Sequence, residues 1–584
     1  MYEAIYRFTS AAPPVKYDEY EYSLSQFLKP LEGADREIRK ELASCMGFIL
    51  SLSQKNLPTQ KEVKGLKLSF FATSPTAPTA AQIDYLDKTI LSVDEMLSVI
   101  SNLLAKATTK EVRVALFETI ALLLRNFDIS FLERSYSVII DKIIGLLSVA
   151  KLNSTKSDAA FTLAACRFLV RDALGQNLSE LGQIGAVKEL INSWVRRWPA
   201  VSVEEVAPTE LQLVFVIDEI GALFSDLGPA ASSIVDFAID PLAILLAHPS
   251  QSVNLSLSWC LRCLCISLPD QLMRLINKTV TLLQRDSGPT QIDRIENLDR
   301  IVNYGNALAS LICVFPKRPL FVSYESAGTV FGIATQLVKS STSSKESALG
   351  AAQSIVAWTL IGALMTLGTD FVKVHLSQLL LIWKSCFAKP NSKGSTSRTE
   401  LEWNSFLISK YSALSALCSF LKFNQELVTA DVSKRVVVLL NNMMATLSLF
   451  PVSYAAASIQ SKLTVPTDVF RMDVVSREAL IKTRIVQCYS AISPSYYEFV
   501  APQLLRFLIE QFLPDPERMD RYMAAVFNPN EKAAIIEVDI ETTLVNGYSF
   551  SVASKSMAED RGHGKAFTSD LDLELLESLV IFIF

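Results

Sequence analysis

Three cysteines close together are the sharpest chemical signal in the sequence, in the run Trp259-Cys260-Leu261-Arg262-Cys263-Leu264-Cys265. A C-x-x-C spacing can hold zinc or exchange disulfides. A zinc site needs a second pair of ligands at a suitable spacing, and the redox motif needs a βαβ context. The sequence offers neither, and the run lies in the middle of a helical pattern. We therefore interpret these cysteines as packing residues of a helix.

The three histidines are scattered and show no catalytic or metal-binding spacing. His248 precedes a proline at a turn, His375 lies on a predicted helix, and His563 lies in a predicted C-terminal loop. Gly562-His563-Gly564-Lys565 resembles the end of a phosphate-binding loop, but the preceding spacing, the strand and the final Ser or Thr are missing. Metalloprotease, serine-hydrolase and P-loop motifs are absent from the sequence. We predict a protein that is not an enzyme, without catalytic, cofactor-binding or metal-binding residues.

The charge balance argues against nucleic acid as a partner. The chain carries 55 Lys and Arg against 60 Asp and Glu, for a formal net charge of −5. Two short basic pairs, Arg196-Arg197 and Lys317-Arg318, are predicted to be solvated. No stripe of basic residues with interleaved aromatic residues occurs, which is the usual signature of a nucleic-acid interface.

The nine cysteines are scattered and lie mostly inside apolar helical runs. We predict that the following are small core residues: Cys45, Cys166, Cys313, Cys418 and Cys488. The first residues lack the basic and apolar segments of a signal peptide. We therefore expect a reducing, cytosolic compartment.

The element that best shows how the chain is organised runs from Ser343 to Lys389 and is predicted to be a helical hairpin. Gly368 is expected to end the first helix in a left-handed conformation, and Asp370 to cap the second. The small residue Gly362 is expected to let a neighbouring helix come close. Apolar residues recur at steps of three and four residues and predict one buried face on each helix: Leu349, Ala352, Val356, Leu360, Ala363 and Leu367 on the first, and Leu376, Leu379, Leu380, Trp383 and Phe387 on the second.

Similar helix pairs follow one another along most of the chain, with a spacing of roughly 40–47 residues that is typical of HEAT or armadillo units. At 584 residues and 50% hydrophobic composition, the chain needs more buried area than one compact core supplies. Stacked helix pairs supply that area along their whole length. We predict an all-α fold, an extended α-solenoid of HEAT/armadillo-like helical hairpins.

Composition divides the chain into five predicted segments. Residues 1–53 form a first helical repeat, 54–91 a mobile insert rich in Pro, Ser and Thr, and 92–513 a continuous HEAT-like α-solenoid. Residues 514–570 are mostly irregular, and 571–584 begin a helix that the sequence cuts short, so we expect a fragment of a longer protein or a truncated gene model. Ser92 and Glu95 have the spacing of a capping box, which predicts a helix start after the insert.

Positive mean hydropathy raises the alternative of a membrane span. The best candidate is Ile355 to Leu367, which falls short of the roughly 18–20 uninterrupted apolar residues that a bilayer core requires. We expect a buried helix there and no transmembrane span.

Two long runs are more specific than periodicity: HPSQSVNLSLSWCLRCLCISLPDQL (248–272) and AWTLIGALMTLGTDFVKVHLSQLLLIWKSCF (357–387). Both resemble the family of HEAT repeat-containing protein 5, which includes the fungal large accessory protein of adaptor protein complex 1. Weaker similarity lies at 111–114, 131–135 and 409–420. Members of this family are much longer than this chain, and the 55–89 insert has no counterpart that we can place.

The resemblance implies a cytosolic α-solenoid scaffold that works with adaptor protein complex 1, clathrin and small accessory proteins at the trans-Golgi network and endosomes. It implies peripheral membrane association through those partners, and it carries no catalytic residue over to this chain. A karyopherin-like or other regulatory HEAT scaffold is the alternative, and binding of a transport GTPase would distinguish it.

Overall fold

The computed structural model describes residues 17–55, 91–154, 156–200, 206–287, 295–343, 347–389, 400–449 and 474–497, with 500, 502–504 and 507. All regular structure in these residues is helical, which confirms the all-α class. The predicted insert at 54–91 lies almost entirely outside the described residues, as do the 514–570 and 571–584 segments. The five predicted segment boundaries therefore stay predictions.

The described helices fall into two compact units, which divide between Glu189 and Leu190. The first unit contains α1 (Tyr17–Ser25), α2 (Leu28–Leu31), α3 (Arg36–Lys55), α4 (Val93–Lys106), α5 (Lys110–Arg125), α6 (Ile129–Leu146), α7 (Lys156–Phe168) and most of α8 (Glu180–Ser193). A π-helical turn, Leu169–Leu174, and a 3-10 turn, Gly175–Asn177, follow α7. Within this unit α3 packs on α5, α5 on the π-helical turn, and α4 on α6.

The second unit contains the remaining helices: α9 (Glu210–Leu227), α10 (Val235–Ile244), α11 (Gln251–Ser267), α12 (Asp270–Asp286), α13 (Ile295–Ile312), α14 (Tyr324–Ser343), α15 (Ser347–Leu364), α16 (Thr369–Cys386), α17 (Glu400–Phe423), α18 (Ala430–Leu447) and α19 (Val474–Ser490). Every second helix packs extensively against the next: α9 on α11, α11 on α13, α13 on α15, α15 on α17, and α17 on α19. The helices between them, such as α12 and α14, pack on this row. This is the contact pattern of stacked helical pairs.

Polar side chains link successive helical pairs in the second unit. The Ser267 hydroxyl donates to the Phe224 carbonyl, 43 residues earlier, at 2.7 Å. The Ser310 hydroxyl donates to the Ser258 carbonyl, 52 residues earlier, at 2.9 Å. The Asn424 amide donates to the Met365 carbonyl, 59 residues earlier, at 2.9 Å. Each bond satisfies a backbone carbonyl of the preceding pair with a side chain of the next. The separations of 43, 52 and 59 residues vary, and only the first lies within the predicted period of roughly 40–47 residues.

Small residues set how closely α9, α11, α13, α15 and α17 approach one another. A Cβ added to Gly305 in α13 would lie 2.8 Å from Val356 Cγ1 in α15. A Cβ at Gly221 in α9 would lie 3.2 Å from the Cα of Cys260 in α11. The predicted close approach at Gly362 is also present, because its added Cβ would be 3.6 Å from the Cα of Ala416 in α17.

Local sequence signals explain several helix ends. The predicted capping box is present, since Glu95 N–H donates to Ser92 Oγ at 3.2 Å and Ser92 N–H donates to Glu95 Oε2 at 2.7 Å. Gly368 has the predicted positive φ, +97°, but its ψ of 172° lies far from the left-handed helical value of about +47°. Asp370 was expected to cap α16, but Gly368 occupies the cap position and Asp370 lies in the first turn. The carboxylate still faces the positive end of the helix dipole there.

The helix α15 is buried on all sides, so the prediction of a single buried face was too narrow. The predicted face is buried, and so are Trp358, Ile361 and Leu364 on the other sides. Two described stretches are long and apolar enough to cross a membrane, Ala348–Leu367 and Glu402–Phe423, and 89% and 67% of them are buried inside the fold. A core helix of a stacked array satisfies the same length and hydropathy criterion.

Candidate protein-binding surface

The cysteine run on α11 is a packing element, as predicted. Cys260, Cys263 and Cys265 are all buried. Burial raises the pKa of the Cys260 and Cys265 thiols, which disfavours the thiolate that metal binding or disulfide exchange needs. Among the described residues no group of three or more His, Cys, Asp or Glu side chains could hold a metal ion.

His248 organises a turn between α10 and α11. Its Nδ1 accepts from the Ser250 N–H at 3.0 Å, and its carbonyl accepts from the side-chain amides of Asn254 and Asn303 at 2.7 and 3.0 Å. Its ring centroid lies 4.8 Å from that of Trp198. Burial lowers the pKa of His248. The residue therefore acts as a neutral acceptor that fixes the chain.

His375 connects α14 to α16. Its ring lies 4.3 Å from the Phe331 ring in α14 and 4.8 Å from the Phe371 ring in α16. Desolvation against these rings lowers the pKa of His375. The third histidine, His563, lies outside the described residues.

The opposite side of α16 is exposed and apolar. The exposed fraction is 77% for Val374 and 67% for Leu381. The two residues lie two helical turns apart and so share one face. Leu379, Trp383 and Phe387 on the other side are buried, while Leu376 and Leu380 are only half-buried. Because Trp383 anchors the inner side, the outer side is held in a fixed orientation.

Basic residues flank this apolar pair. We define the α16 surface by its exposed residues Lys373, Val374, Ser377, Gln378, Leu381 and Lys384. Its two ammonium groups make no ion pair within the described residues, and the nearest acid on the same helix is Asp370 in the first turn. Two aliphatic side chains between two free cations suit a ligand that carries aliphatic and acidic residues together.

The next helical pair also presents an exposed aliphatic residue and an exposed lysine. The Asn442 amide of α18 donates to the Phe387 carbonyl at the end of α16 at 3.0 Å, which joins the two helices. One turn earlier on α18, Val438 is exposed, and Lys434 is exposed beside it. An exposed aliphatic residue next to an exposed lysine therefore occurs on α18 as well as on α16.

Sequence reasoning missed this surface because it assigned the leucines of α16 to the core by period alone. The available signal was the spacing of Val374 and Leu381. These two aliphatic residues are seven positions apart and lie outside the predicted buried face. Two further residues match their predictions only in part. Arg318 is half-buried rather than fully solvated, and its Nε donates to the Ile266 carbonyl at 2.9 Å. Cys418 is half-buried rather than fully buried.

No known family model matches this chain, and no solved structure matches it either.

Proposed function

We propose that this chain is a non-catalytic scaffold that binds proteins in clathrin- and adaptor-dependent traffic between the trans-Golgi network and endosomes, including retrograde transport and protein localisation. Its partners are adaptor protein complex 1 and small accessory proteins. It is cytoplasmic and reaches membranes peripherally through these partners, without a transmembrane span and without nucleic acid. The long runs at 248–272 and 357–387, which resemble HEAT repeat-containing protein 5, support this choice of pathway.

The observation that carries the binding function is the α16 surface. An exposed aliphatic side chain contributes about 1.5–3 kcal/mol when a partner buries it fully. Val374 and Leu381 offer two such side chains on a helix whose inner side is fixed by Trp383. When a partner covers them, the scaffold loses little conformational entropy, because its surface is already ordered.

The chemistry of the surface selects a class of ligand. A partner helix or short extended motif with leucine or isoleucine at the centre and Asp or Glu at its flanks would bury the aliphatic pair and meet Lys373 and Lys384. Recognition of an amphipathic helix or short motif by a groove or helix face is a common mode in scaffold proteins. Flanking charges set the orientation and the association rate more than the affinity.

Affinity capture from cytosol of the same organism, read by mass spectrometry, tests this proposal. We expect the tagged chain to recover subunits of adaptor protein complex 1, and the double variant Lys373→Glu, Lys384→Glu to recover several-fold less. The matched control is Lys40→Glu with Lys110→Glu, which changes the net charge equally through exposed lysines of the first unit.

One result would overturn the choice of pathway, and another would overturn the assignment of the binding site to the α16 surface. Recovery of a transport GTPase without adaptor subunits would favour a nuclear-transport scaffold. Recovery of adaptor subunits by all three proteins alike would keep the pathway but remove the α16 surface from it. Circular dichroism of both variants shows whether any loss of binding reflects lost folding.

A further inference from the structure

The α16 surface has a defined layout of charge and apolar area. Lys373 and Lys384 are separated by close to three helical turns, so their side chains leave the helix on the same side, about 16 Å apart along its axis. Val374 and Leu381 lie between them along the helix, on the neighbouring strip of its surface. A ligand that fits this layout carries a row of acidic residues next to a row of aliphatic residues.

Two other exposed aliphatic positions in the second unit offer less. Leu320 is 93% exposed, and the nearby Lys317 is exposed as well. On α18, Val438 is exposed beside Lys434. Each of these places combines one exposed aliphatic side chain with one exposed lysine, whereas the α16 surface combines two of each.

An acidic, leucine-rich run of this chain has the composition that the α16 surface fits: Asp570-Leu571-Asp572-Leu573-Glu574-Leu575-Leu576-Glu577. It lies outside the described residues, and it contains no basic residue. Its sequence places acidic and aliphatic residues at the steps of three and four that make neighbouring rows on a helix. The acidic row consists of Asp570, Glu574 and Glu577, and the aliphatic row of Leu573, Leu576 and Val580.

The connection between this run and the described fold is long enough to reach α16. Roughly 60 residues separate Asp570 from Phe507, the last described residue, and each can span at most about 3.3–3.6 Å. The upper limit of about 200 Å is several times the length of α16, which is about 27 Å for its 18 residues. Because the run belongs to the same chain, its binding is intramolecular, and weak contacts are enough to occupy the surface.

We propose that the 570–577 run binds the α16 surface of its own chain and competes there with partner proteins. Its leucines cover Val374 and Leu381, and its carboxylates pair with Lys373 and Lys384. The competition rests on the proposed function, in which partners bind this same surface. A partner with acidic and aliphatic residues must then displace an internal ligand of the same chemistry.

Carbodiimide cross-linking of the full chain, followed by digestion and mass spectrometry, tests the contact, because the reagent joins a carboxylate to an amine only where the two groups meet. We expect products that join Lys373 or Lys384 to an acid of the 570–577 run. In a mixture of isotope-labelled and unlabelled chains, each product should contain a single isotope form. The exposed pair Lys106 and Glu21 of the first unit, 2.8 Å apart, is the internal control for the reagent.

A variant that keeps every charged group of this contact tests the role of the aliphatic pair. In Val374→Ser, Leu381→Ser the yield of the cross-link to the 570–577 run should fall several-fold, while the product of Lys106 and Glu21 should not change. Both substituted positions are exposed, so the fold should be kept, and far-UV circular dichroism measures this.

Four results would overturn the proposal. The first is the absence of Lys373 and Lys384 products in samples that form the control product. The second is cross-linking of the run to Lys317 or Lys434 instead. The third is products of mixed isotope form, which would show that the run binds a second copy of the chain. The fourth is an unchanged yield in the serine variant.

The effect on partners is measured separately, with purified adaptor protein complex 1 as the probe. Removal of the acidic charges of the run should strengthen binding of the complex several-fold, and an unchanged affinity would overturn the competition. A chain that forms the cross-link but does not bind the complex would overturn the proposed partner and leave the internal contact standing. The variant carries four substitutions: Asp570→Asn, Asp572→Asn, Glu574→Gln and Glu577→Gln.

Discussion

At the scale of single residues, Trp383 holds the inner side of α16 in place. Its side chain is fully buried, its ring centroid lies 6.3 Å from that of Trp358 and 5.6 Å from that of Phe420, and its Nε1 donates to the Ala413 carbonyl at 3.3 Å. One side chain thus contacts both α15 and α17. The periodic pattern predicted its burial, but it could not predict the indole hydrogen bond, which depends on a residue 30 positions away.

Replacement of this indole should leave a large cavity. We expect Trp383→Ala to lower the free energy of unfolding by about 3–5 kcal/mol, because the transfer and cavity costs add in a well-packed core. Urea unfolding followed by far-UV circular dichroism measures the change. Leu381→Ala, two residues earlier on the exposed side, is the control and should change stability by no more than about 0.5 kcal/mol. Equal effects of the two substitutions would show that the helix is oriented differently.

His248 should make stability depend on pH in a defined direction. Its folded-state pKa lies below the ordinary value of about 6.5, mainly because the ring is desolvated. The unfolded chain therefore binds a proton more readily, and protonation favours unfolding. Neutral His248 makes its full contribution to the free energy of unfolding at pH values above the pKa that His248 has in the unfolded chain. This contribution is lost as the pH falls below that pKa.

The substitution His248→Asn isolates this effect, because its side-chain oxygen can still accept from the Ser250 N–H but does not titrate. Between about pH 7.5 and about pH 5.5 the wild-type chain should lose more stability than the variant. His375, whose pKa is also lowered, is present in both proteins and cancels in the comparison. Identical pH profiles would show that His248 protonates as easily in the folded protein as in the unfolded one.

At the scale of elements, the sequence predicted where helices start and end better than it predicted which neighbours pack around them. The Ser92 capping box and the positive φ of Gly368 follow from chemistry within a few residues, and both were predictable. The π-helical turn Leu169–Leu174 was not, since the sequence there continues an ordinary helical period. The complete burial of α15 also depended on three neighbouring helices, which no local pattern contains.

The close approach of α13 to α15 gives a prediction at this scale. Gly305→Ala should destabilise the second unit, because the new Cβ would meet the stiff, β-branched Val356 at 2.8 Å. Overpacking costs about 1–3 kcal/mol. This outweighs the gain of about 1 kcal/mol in helix propensity when alanine replaces glycine.

The matched control is Gly332→Ala in α14, where an added Cβ meets nothing within 4 Å. This substitution should stabilise the protein by up to about 1 kcal/mol through helix propensity alone. Thermal unfolding of the two variants compares them directly. If Gly305→Ala raised the midpoint of thermal unfolding, as Gly332→Ala should, then α13 and α15 would be less tightly packed than described.

At the scale of the whole molecule, composition and period were enough to predict an all-α chain of helical pairs. They also predicted that the cysteine run and the most apolar helix belong to the core. They could not predict the α16 surface. It depends on which side of the helix its neighbours cover, and that is decided by residues tens of positions away, such as Phe331, whose ring packs against His375.

The central claim at this scale is that the second unit binds adaptor protein complex 1 through the exposed side of α16. The most direct measurement is a titration of purified complex into labelled chain, with Val374→Asp, Leu381→Asp compared with the wild type and with the Lys40→Glu, Lys110→Glu control. We predict saturable binding by the wild type and the control, and at least about tenfold weaker binding by the α16 variant. No binding by the folded wild type, or equal binding by all three, would contradict the claim.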